Sequence, residues 1–589
     1  MNWSEEILTS LIWLVKTFVI SGVGFIIVFG AVLKFTQTGR DFIRLSGGYF
    51  SPKRSLKPLV LLSTVILFAL IGVRLAILNS QANNGLYTAL QELNASNFWY
   101  NFGIWAIIAT TFICYALGNY YLKNMLTIDW RYWLTQSLVE KWLNQQNYFR
   151  SHYTATTIDN PDQRIQQDID SFVSLSLSLS IGLLDACVSL FEFTIILWTL
   201  SGALSIFGIE IPRAMVVLAY AYVFLATLIA IWLGRPLIQL NFLNEKLNAN
   251  FRYALIRLRE YGESIAFFRG EACEKTGLLS RFDQTIANAW AMVYRSLKFD
   301  GFNYVVTKVA SVFALVIQAP RLFAHEIKLG DMMQSAQAFG EVQGSLSFFR
   351  TSYDNFANYR AVMIRLSGFL DVVDEAQNLP RIVPKHQGST LAIQGFSTLK
   401  PDGSALCTGL SLQLAPGDAL LIQGPSGIGK TTLLRAFAGL WPYATGELSL
   451  PDGAALFLPQ KPYLPLGTLK EALFYPNAVN DQPLDTLLAQ VQLGHLVARL
   501  DEEDDWGRVL SLGEQQRLAI ARALIIRPAV IFLDEASSAM DEGLEFALYQ
   551  LLRQQLPQAI LVSIGHRSSL SQFHSHQLHL AAQGRWTLS

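Results

Sequence analysis

The residues whose types and spacing most directly imply chemistry are Gly424, Pro425, Ser426, Gly427, Ile428, Gly429, Lys430, Thr431 and Thr432, which fit the pattern G-x-x-x-x-G-K-[ST]. Glycines suit such a loop because backbone N–H groups must curl around phosphate oxygens at a helix N-terminus that already favours anions. The apolar run Ala419-Leu420-Leu421-Ile422 predicts the strand entering the loop, and Thr432-Leu433-Leu434-Arg435 the helix leaving it. Lys430 is then placed to reach the β- and γ-phosphates, and Thr431 to ligate Mg²⁺. A Gly-rich strand-to-helix turn that binds nothing is the bland alternative, and the Lys-Thr in register argues against it.

Downstream, Ala529-Val530-Ile531-Phe532-Leu533 reads as a buried strand ending in Asp534 and Glu535. Asp534 suits a Mg²⁺ ligand, and Glu535 beside it is placed to polarise an attacking water. An acidic pair after a strand is common; it gains specificity from the upstream loop.

These elements need a soluble α/β unit, yet the 589-residue chain is 51% hydrophobic and only 15% charged, which implies a membrane part as well. Lys+Arg and Asp+Glu balance at 45 each, so no basic field suggests nucleic acid. Cys114, Cys187, Cys273 and Cys407 are widely spaced, predicting packing residues in a reducing compartment and no disulfide frame or zinc site. The start, Met1-Asn2-Trp3-Ser4-Glu5-Glu6, lacks a basic n-region, so the first apolar segment reads as retained.

Stretches able to span a bilayer as helix occur at 11–33, 58–78, 102–121, 179–200, 215–233 and 304–323, with a wetter one at 331–360. Lys34, Arg40, Arg44, Lys53, Arg54 and Lys57 follow the first stretch, whereas 79–100 holds no Lys or Arg. That bias puts the first loop in the cytoplasm and the second outside. Continuing the alternation makes 122–178 and 234–303 long cytoplasmic extensions and leaves everything after Arg360 cytoplasmic, where an ATP site must be. The first stretch either spans or lies at the interface; its length favours spanning.

The expected architecture is therefore a membrane α-helical bundle of six core transmembrane helices plus an extra N-terminal helix, fused to an α/β P-loop nucleotide-binding domain. The expected segments are 1–57 (N-terminal helix and basic segment), 58–377 (transmembrane domain), 378–389 (linker with Pro380, Pro384 and Gly388) and 390–589 (nucleotide-binding domain).

Gln334, Gln337, Glu341 and Ser345 recur at helical spacing along one face of the wetter stretch, and Glu192, Asp185 and Lys308 add polarity on other spans. Such a stripe should face protein or water. Interhelical hydrogen bonding and a hydrated cavity for a polar solute are equally open readings, with Glu192, Gln334, Gln337 and Glu341 as cavity candidates. In the extensions, Ile158-Asp159-Asn160-Pro161-Asp162-Gln163-Arg164 marks a turn between helices, and 257–268 mixes charge with apolar periodicity. Both suit contacts between membrane part and soluble domain, or solvated helix ends.

Between the phosphate loop and Asp534 lie Leu458-Pro459-Gln460 and Leu510-Ser511-Leu512-Gly513-Glu514-Gln515-Gln516-Arg517; after it come Ser538-Ala539-Met540-Asp541 and Ser563-Ile564-Gly565-His566. In that order these segments resemble the ATP-binding cassette family. The resemblance implies that Gln460 senses Mg²⁺ and the γ-phosphate, that His566 contacts that phosphate, and that Asp541 belongs to the loop after the Mg²⁺-binding strand. It further implies that Ser511 and Gly513 close over ATP held by a second copy, so that two chains form a homodimer with two composite sites. Leu512 and Glu514 depart from the family's usual Gly and Gln. Where an adenine-stacking aromatic is usual, Thr398-Leu399-Lys400 stands, with Phe396 close by, which predicts loose base selectivity.

Asn160-Pro161-Asp162-Gln163-Arg164-Ile165, Gly439-Leu440-Trp441-Pro442 and Pro459-Gln460-Lys461-Pro462-Tyr463 resemble the branch containing peroxisomal fatty-acyl half-transporters and BacA-like peptide-uptake proteins. Within it, similarity over nearly the whole chain is greatest to mycobacterial cobalamin and antimicrobial-peptide importers. This implies an exporter-type membrane fold working as an ATP-driven importer of hydrophilic solutes in a bacterial inner membrane, surrounded by lipid. Export, or fatty-acyl transport, is the alternative; a cassette ATPase acting on ribosomes or DNA fits poorly with the membrane spans.

Overall fold

The computed structural model describes residues 3–156, 160–202, 204–206, 209–211 and 213–589. Ile158 and Asp159, at the start of the expected turn, lie outside the described residues. The chain forms two compact units, Met1–Glu140 with Asn160–Leu370, and Lys141–Asp159 with Asp371–Ser589.

The first unit is helical: α1 (Trp3–Phe35), α2 (Gln37–Ser46), α3 (Lys57–Gln91), α4 (Ala95–Leu143), α5 (Ile169–Leu200), α6 (Ala214–Glu260), α7 (Gly262–Phe268), α8 (Glu271–Phe323), α9 (Leu329–Leu346) and α10 (Tyr353–Asn378), with α4 and α10 ending in the second unit. Among the described residues six helices are long and apolar enough to cross a membrane. They are α1, α3, α4, α6, α8 and the helix ending in α5. At 49, 47 and 53 residues, α4, α6 and α8 run roughly 70–80 Å, more than twice the hydrocarbon thickness of about 30 Å, so most of the surplus forms the long extensions. The wetter stretch is not one helix: α9 stops at Leu346, a short turn, Phe348–Thr351, follows, and α10 starts at Tyr353.

Small side chains let these helices approach closely. Ala219 of α6, Ala310 and Ala314 of α8 and Ala338 of α9 are buried against Val73, Phe193 and Phe339. Polar side chains bind the seams. Asn84 of α3 donates to Asp331 at 3.0 Å and to Gln334 at 2.7 Å, and Gln318 of α8 donates to Ser335 at 3.3 Å. The N-terminal helix lies along α3. Arg74 of α3 ion-pairs with Glu6, donates to Ser10 at 3.0 Å and stacks its guanidinium 5.5 Å from the Trp13 ring, whose Nε1 donates to Glu192 at 2.9 Å.

On the extension before α5, Asn160 adopts φ +46° ahead of Pro161, a left-handed conformation that Asn tolerates. Asp168, with its side chain 3% exposed, is bound by Arg164 at 2.9 Å and Arg365 at 2.6 Å. Of the cysteines only Cys407 is buried; Cys114, Cys187 and Cys273 are exposed.

The second unit holds β1 (Leu391–Leu399), β2 (Ala405–Leu414), β3 (Ala419–Gln423), α11 (Lys430–Phe437), β4 (Ala444–Leu450), β5 (Ala455–Leu458), α12 (Leu469–Phe474), α13 (Leu512–Ile526), β6 (Val530–Asp534), α14 (Glu542–Gln555), β7 (Ile560–Ile564), β8 (His576–Leu580) and β9 (Trp586–Leu588). The main sheet runs β9-β8-β3-β7-β6-β5, parallel except for β9 at the edge. Its inner strands are apolar on both faces, as parallel strands covered by helices must be, and all of β7 is buried. A second sheet places β1 between β2 and β4.

The end of α4 and the turn after it belong to this unit. Tyr153 meets Trp441 edge-on with ring centroids 5.1 Å apart, the Arg150 guanidinium donates to the Leu379 carbonyl at 2.5 Å, and the Ala155 N–H donates to Glu375 at 2.9 Å. These bonds, from residues 150–155, lie within the second unit.

Candidate nucleotide-binding and hydrolysis site

Strand order assembles the site. β3, β7 and β6 are adjacent and parallel, with Ile422 opposite Ile564 and Ile564 opposite Asp534. The loops leaving them, Gly424–Gly429, Gly565–His566 and Glu535–Asp541, therefore emerge together at the carboxyl edge of the sheet, where ligands of open α/β sheets bind.

Glycine is required by geometry at two loop positions. Gly424 has φ +148° and its Cβ would stand 2.6 Å from the Leu580 carbonyl oxygen; Gly429 has φ +109° and its Cβ would stand 2.9 Å from a Leu406 methyl. Lys430 is buried, and its ammonium donates to the carbonyls of Gly424 at 2.9 Å and Pro425 at 3.2 Å, curving the loop around the helix start. Burial pushes the Lys430 ammonium below its ordinary range, against the opposing charges of Glu535 and Asp534.

The Thr431 hydroxyl donates to Asp534 at 3.0 Å. A hydroxyl oxygen and a carboxylate oxygen side by side are the hard donors that Mg²⁺ takes when phosphates complete its shell, so the residues fit this ion. Burial raises the Asp534 carboxyl above the usual range, opposed by the Thr431 bond and assisted by the charge of Glu535.

Glu535 is turned by a left-handed backbone, φ +49°. Gln460 donates to its Oε2 at 3.0 Å, and His566 Nε2 lies 3.4 Å from its Oε1. Three residues far apart in sequence thus meet at one carboxylate.

The signature stretch begins α13. Ser511 is its N-cap, in a capping box with Glu514. Gly513 lies where a Cβ would come within 3.1 Å of the Ala539 carbonyl oxygen. Asp541 caps α14, accepting from Leu544 N–H at 2.8 Å. Gln516, which sequence reasoning did not single out, ties these parts together. It is fully buried, donates to the Gln460 carbonyl at 2.8 Å and to Ser538 at 3.3 Å, and accepts from Ala539 N–H at 3.1 Å. The available signal was an amide inside an otherwise apolar helix face. His495, likewise unmarked, faces Glu514 at 3.2 Å.

Phe396, the nearest aromatic to the expected adenine position, is buried in the core with its ring 5.0 Å from Phe437. Leu399, 37% exposed, pairs with Ala405, and Leu406 beside that residue packs on Gly429. An aliphatic side chain thus stands close to the phosphate loop.

The candidate cavity residues separate into two groups. Gln334 is buried and accepts from Asn84, while Glu192 accepts from Trp13 of the N-terminal helix. Gln337 and Glu341 are half-buried, beside Gly340 and Gly344, which have open space where a Cβ would stand.

Residues 45–323 match the family profile "ABC transporter transmembrane region 2", and residues 407–538 match "ABC transporter". An uncharacterized ABC transporter ATP-binding protein of Haemophilus influenzae is 48% identical over 100% of both chains. The chain belongs to the ABC transporter family. Among other relatives of this ABC transporter, the chloroplastic ABC transporter D family member 2 of Arabidopsis thaliana is 34% identical over 78% of this chain and 74% of its own. A bacterial Atm1-family ABC exporter with ATP bound shares the fold, with TM-score 0.70 and 18% identity over 90% of this chain and 94% of that one. The protein is thus a half-transporter, one membrane region and one cassette, whose ATPase activity is coupled to transport.

Proposed function

We propose that the transporter is a homodimer importing hydrophilic solutes, such as cobalamin and peptides, across a bacterial inner membrane, powered by ATP at two composite sites. The observation that carries the ATP half of this reading is the convergence of Thr431 on Asp534 and of Gln460 and His566 on Glu535. The loop N–H groups and Lys430 hold the phosphates. Thr431, Asp534 and Gln460 hold Mg²⁺, which supplies charge neutralisation for the transferring phosphoryl group. Glu535 orients the attacking water and accepts its proton, with Gln460 and His566 fixing the carboxylate. Ser511 and Gly513 serve the nucleotide of the second copy, presenting a hydroxyl and backbone N–H groups from a helix start.

Self-association is supported by α7, where Phe267 and Phe268 are 80% and 86% exposed at the end of a short helix, an apolar surface that another copy would cover. Nucleotide-driven closure reaches the membrane helices through the Tyr153–Trp441 contact, which is continuous with α4. The open face of α9 with Gln337 and Glu341 suits a hydrated path for a polar solute.

Export, or fatty-acyl transport, is the second reading, favoured by the similarity to a D family member and to an Atm1-family exporter. ATP-dependent flux of labelled cobalamin in proteoliposomes of known orientation separates the two. Movement from the cassette side to the far side would overturn import.

A further inference from the structure

A cavity of about 500 Å³ lies in the first unit among α1, α2, α3, α4 and α5. Phe18 of α1, Leu62 and Ile66 of α3, and Leu177 and Ile181 of α5 give it apolar walls. Its size falls in the range of roughly 300–1,000 Å³ for ligand sites. Water suits such walls poorly, since each molecule needs about two to four polar partners. The α3 residues that line it fall in the first three turns of that helix, directly after Lys57. With 34–57 cytoplasmic by its positive charge, the cavity lies at the depth of the cytoplasmic leaflet.

Two polar side chains line this apolar space without a hydrogen-bond partner. Ser46, at the end of α2, and Trp130 of α4 are 0% and 1% exposed, and Ser46 Oγ and Trp130 Nε1 are both unsatisfied. Surrounding rings fix the indole: Tyr49 stacks on it at 5.8 Å between centroids, and Phe50 and Phe172 meet it edge-on at 5.1 and 5.8 Å. Leaving such buried groups unpaired is costly. An indole N–H only donates and a hydroxyl can donate, so the fitting occupant carries acceptor oxygens next to an apolar body. An ester carbonyl at the head of an acyl chain has that form.

The chain beside the cavity is basic. Residues 36–58 carry Arg40, Arg44, Lys53, Arg54 and Lys57 against Asp41 alone, and Asp41 already accepts from Ser367 at 3.1 Å. Lys53 and Arg54 follow the lining residue Phe50 by three and four positions and are exposed. Lys57 precedes the lining residue Leu59 by two, and its side chain is 58% exposed although it pairs with Asp129 at 2.9 Å. Exposed cations at a cytoplasmic membrane surface attract anionic headgroups. We infer that the cavity binds one acyl chain of an anionic diacyl phospholipid of the cytoplasmic leaflet, with its ester oxygens at Ser46 and Trp130 and its phosphate among Lys53, Arg54 and Lys57. A lipid so placed joins the N-terminal helix to α3 and α5, whose side chains form the other walls.

The test places the full-length transporter in phosphatidylcholine vesicles doped with phosphatidylglycerol that carries a photoactivatable diazirine on one acyl chain, and maps the labelled peptides. Label at residues 59–66 and 176–184, taken relative to exposed Phe224 and Leu225 of α6, should be at least about tenfold higher than from phosphatidylcholine with the same chain. Gly22→Phe, whose side chain enters the cavity from a position with open space around its Cβ, should abolish that label and leave α6 labelled. Lys53→Gln combined with Arg54→Gln should bring phosphatidylglycerol down toward phosphatidylcholine. Ser46→Ala should instead lower the label from both lipids about fivefold, the worth of roughly one hydrogen bond. Equal label from the two lipids, or wild-type label in Gly22→Phe, would overturn the inference. So would stronger label from diazirine palmitate, which would mark a free fatty acid as the occupant, or no lipid label there at all, as when a second copy covers the cavity.

Discussion

Gln460 donates its side-chain amide to Glu535 across 3.0 Å, linking the loop after β5 to the carboxylate after β6. The same Gln460 receives a hydrogen bond at its carbonyl from Gln516 of the signature helix. Glu535→Gln should therefore keep nucleotide binding and lower kcat by about 10²–10⁴, the range for losing a general base. Gln460→Ala, which removes one hydrogen bond to that carboxylate, should cost only about fivefold. ATPase assays with parallel nucleotide-binding measurements check both. Wild-type turnover in Glu535→Gln would undo the catalytic assignment.

Base selectivity offers a second check. Leu399 is exposed and pairs with Ala405, next to the Leu406 that packs on Gly429 of the phosphate loop, and Phe396 is committed to the core. Leu399→Tyr should lower KM for ATP at least about fivefold, since stacking on an aromatic is worth roughly 1–3 kcal/mol per base. An unchanged KM would mean that adenine lies elsewhere.

Buried His574 predicts a pH effect on stability. Burial lowers its imidazole pKa to about 4, while Leu570 O and Ser563 Oγ, at 2.7 and 2.8 Å, satisfy the neutral ring. The unfolded chain takes up a proton near pH 6.5 and the folded one only near pH 4, so the contribution is complete above about 6.5 and is lost as pH falls toward 4. The loss amounts to about 3 kcal/mol. Thermal unfolding of the cassette in the intact transporter, measured at several pH values, should show this slope in wild type and a flatter one in His574→Gln.

The cassette was legible because each of its motifs must sit at a strand end or helix start, so Gly424, Asp534 and His566 carried their positions in their local context. What joins them was hidden. Gln516 and His495 act through partners distant in sequence, and an amide or imidazole in a helical pattern does not announce its neighbours. The membrane spans were legible from apolar length, but their polar residues were not. Gln334 and Glu341 lie two turns apart on α9, yet Gln334 is turned into a seam with Asn84 while Glu341 lies beside glycines with open space. Periodicity alone cannot say which neighbour covers a face.

The N-terminal helix gives a further prediction. Arg74 is paired with Glu6 and stacked near Trp13, which itself donates to Glu192. Arg74→Met strands Glu6 in the seam, and removing one partner of a buried ion pair costs roughly 3–5 kcal/mol. A cysteine at exposed Leu8 should then become more reactive to an aqueous thiol reagent as α1 detaches, with Trp13→Phe giving a smaller increase. Equal labelling in all variants would show that the contacts do not hold the helix.

The central claim is vectorial, and vesicles test it most directly. Transporter is reconstituted with its cassettes outward, the lumen is loaded with labelled cobalamin, and ATP with Mg²⁺ is added outside. Import to the cytoplasmic face predicts ATP-dependent loss of label from the lumen, abolished by Glu535→Gln and reduced by Glu341→Gln. Accumulation of outside label in the lumen on ATP addition would contradict it.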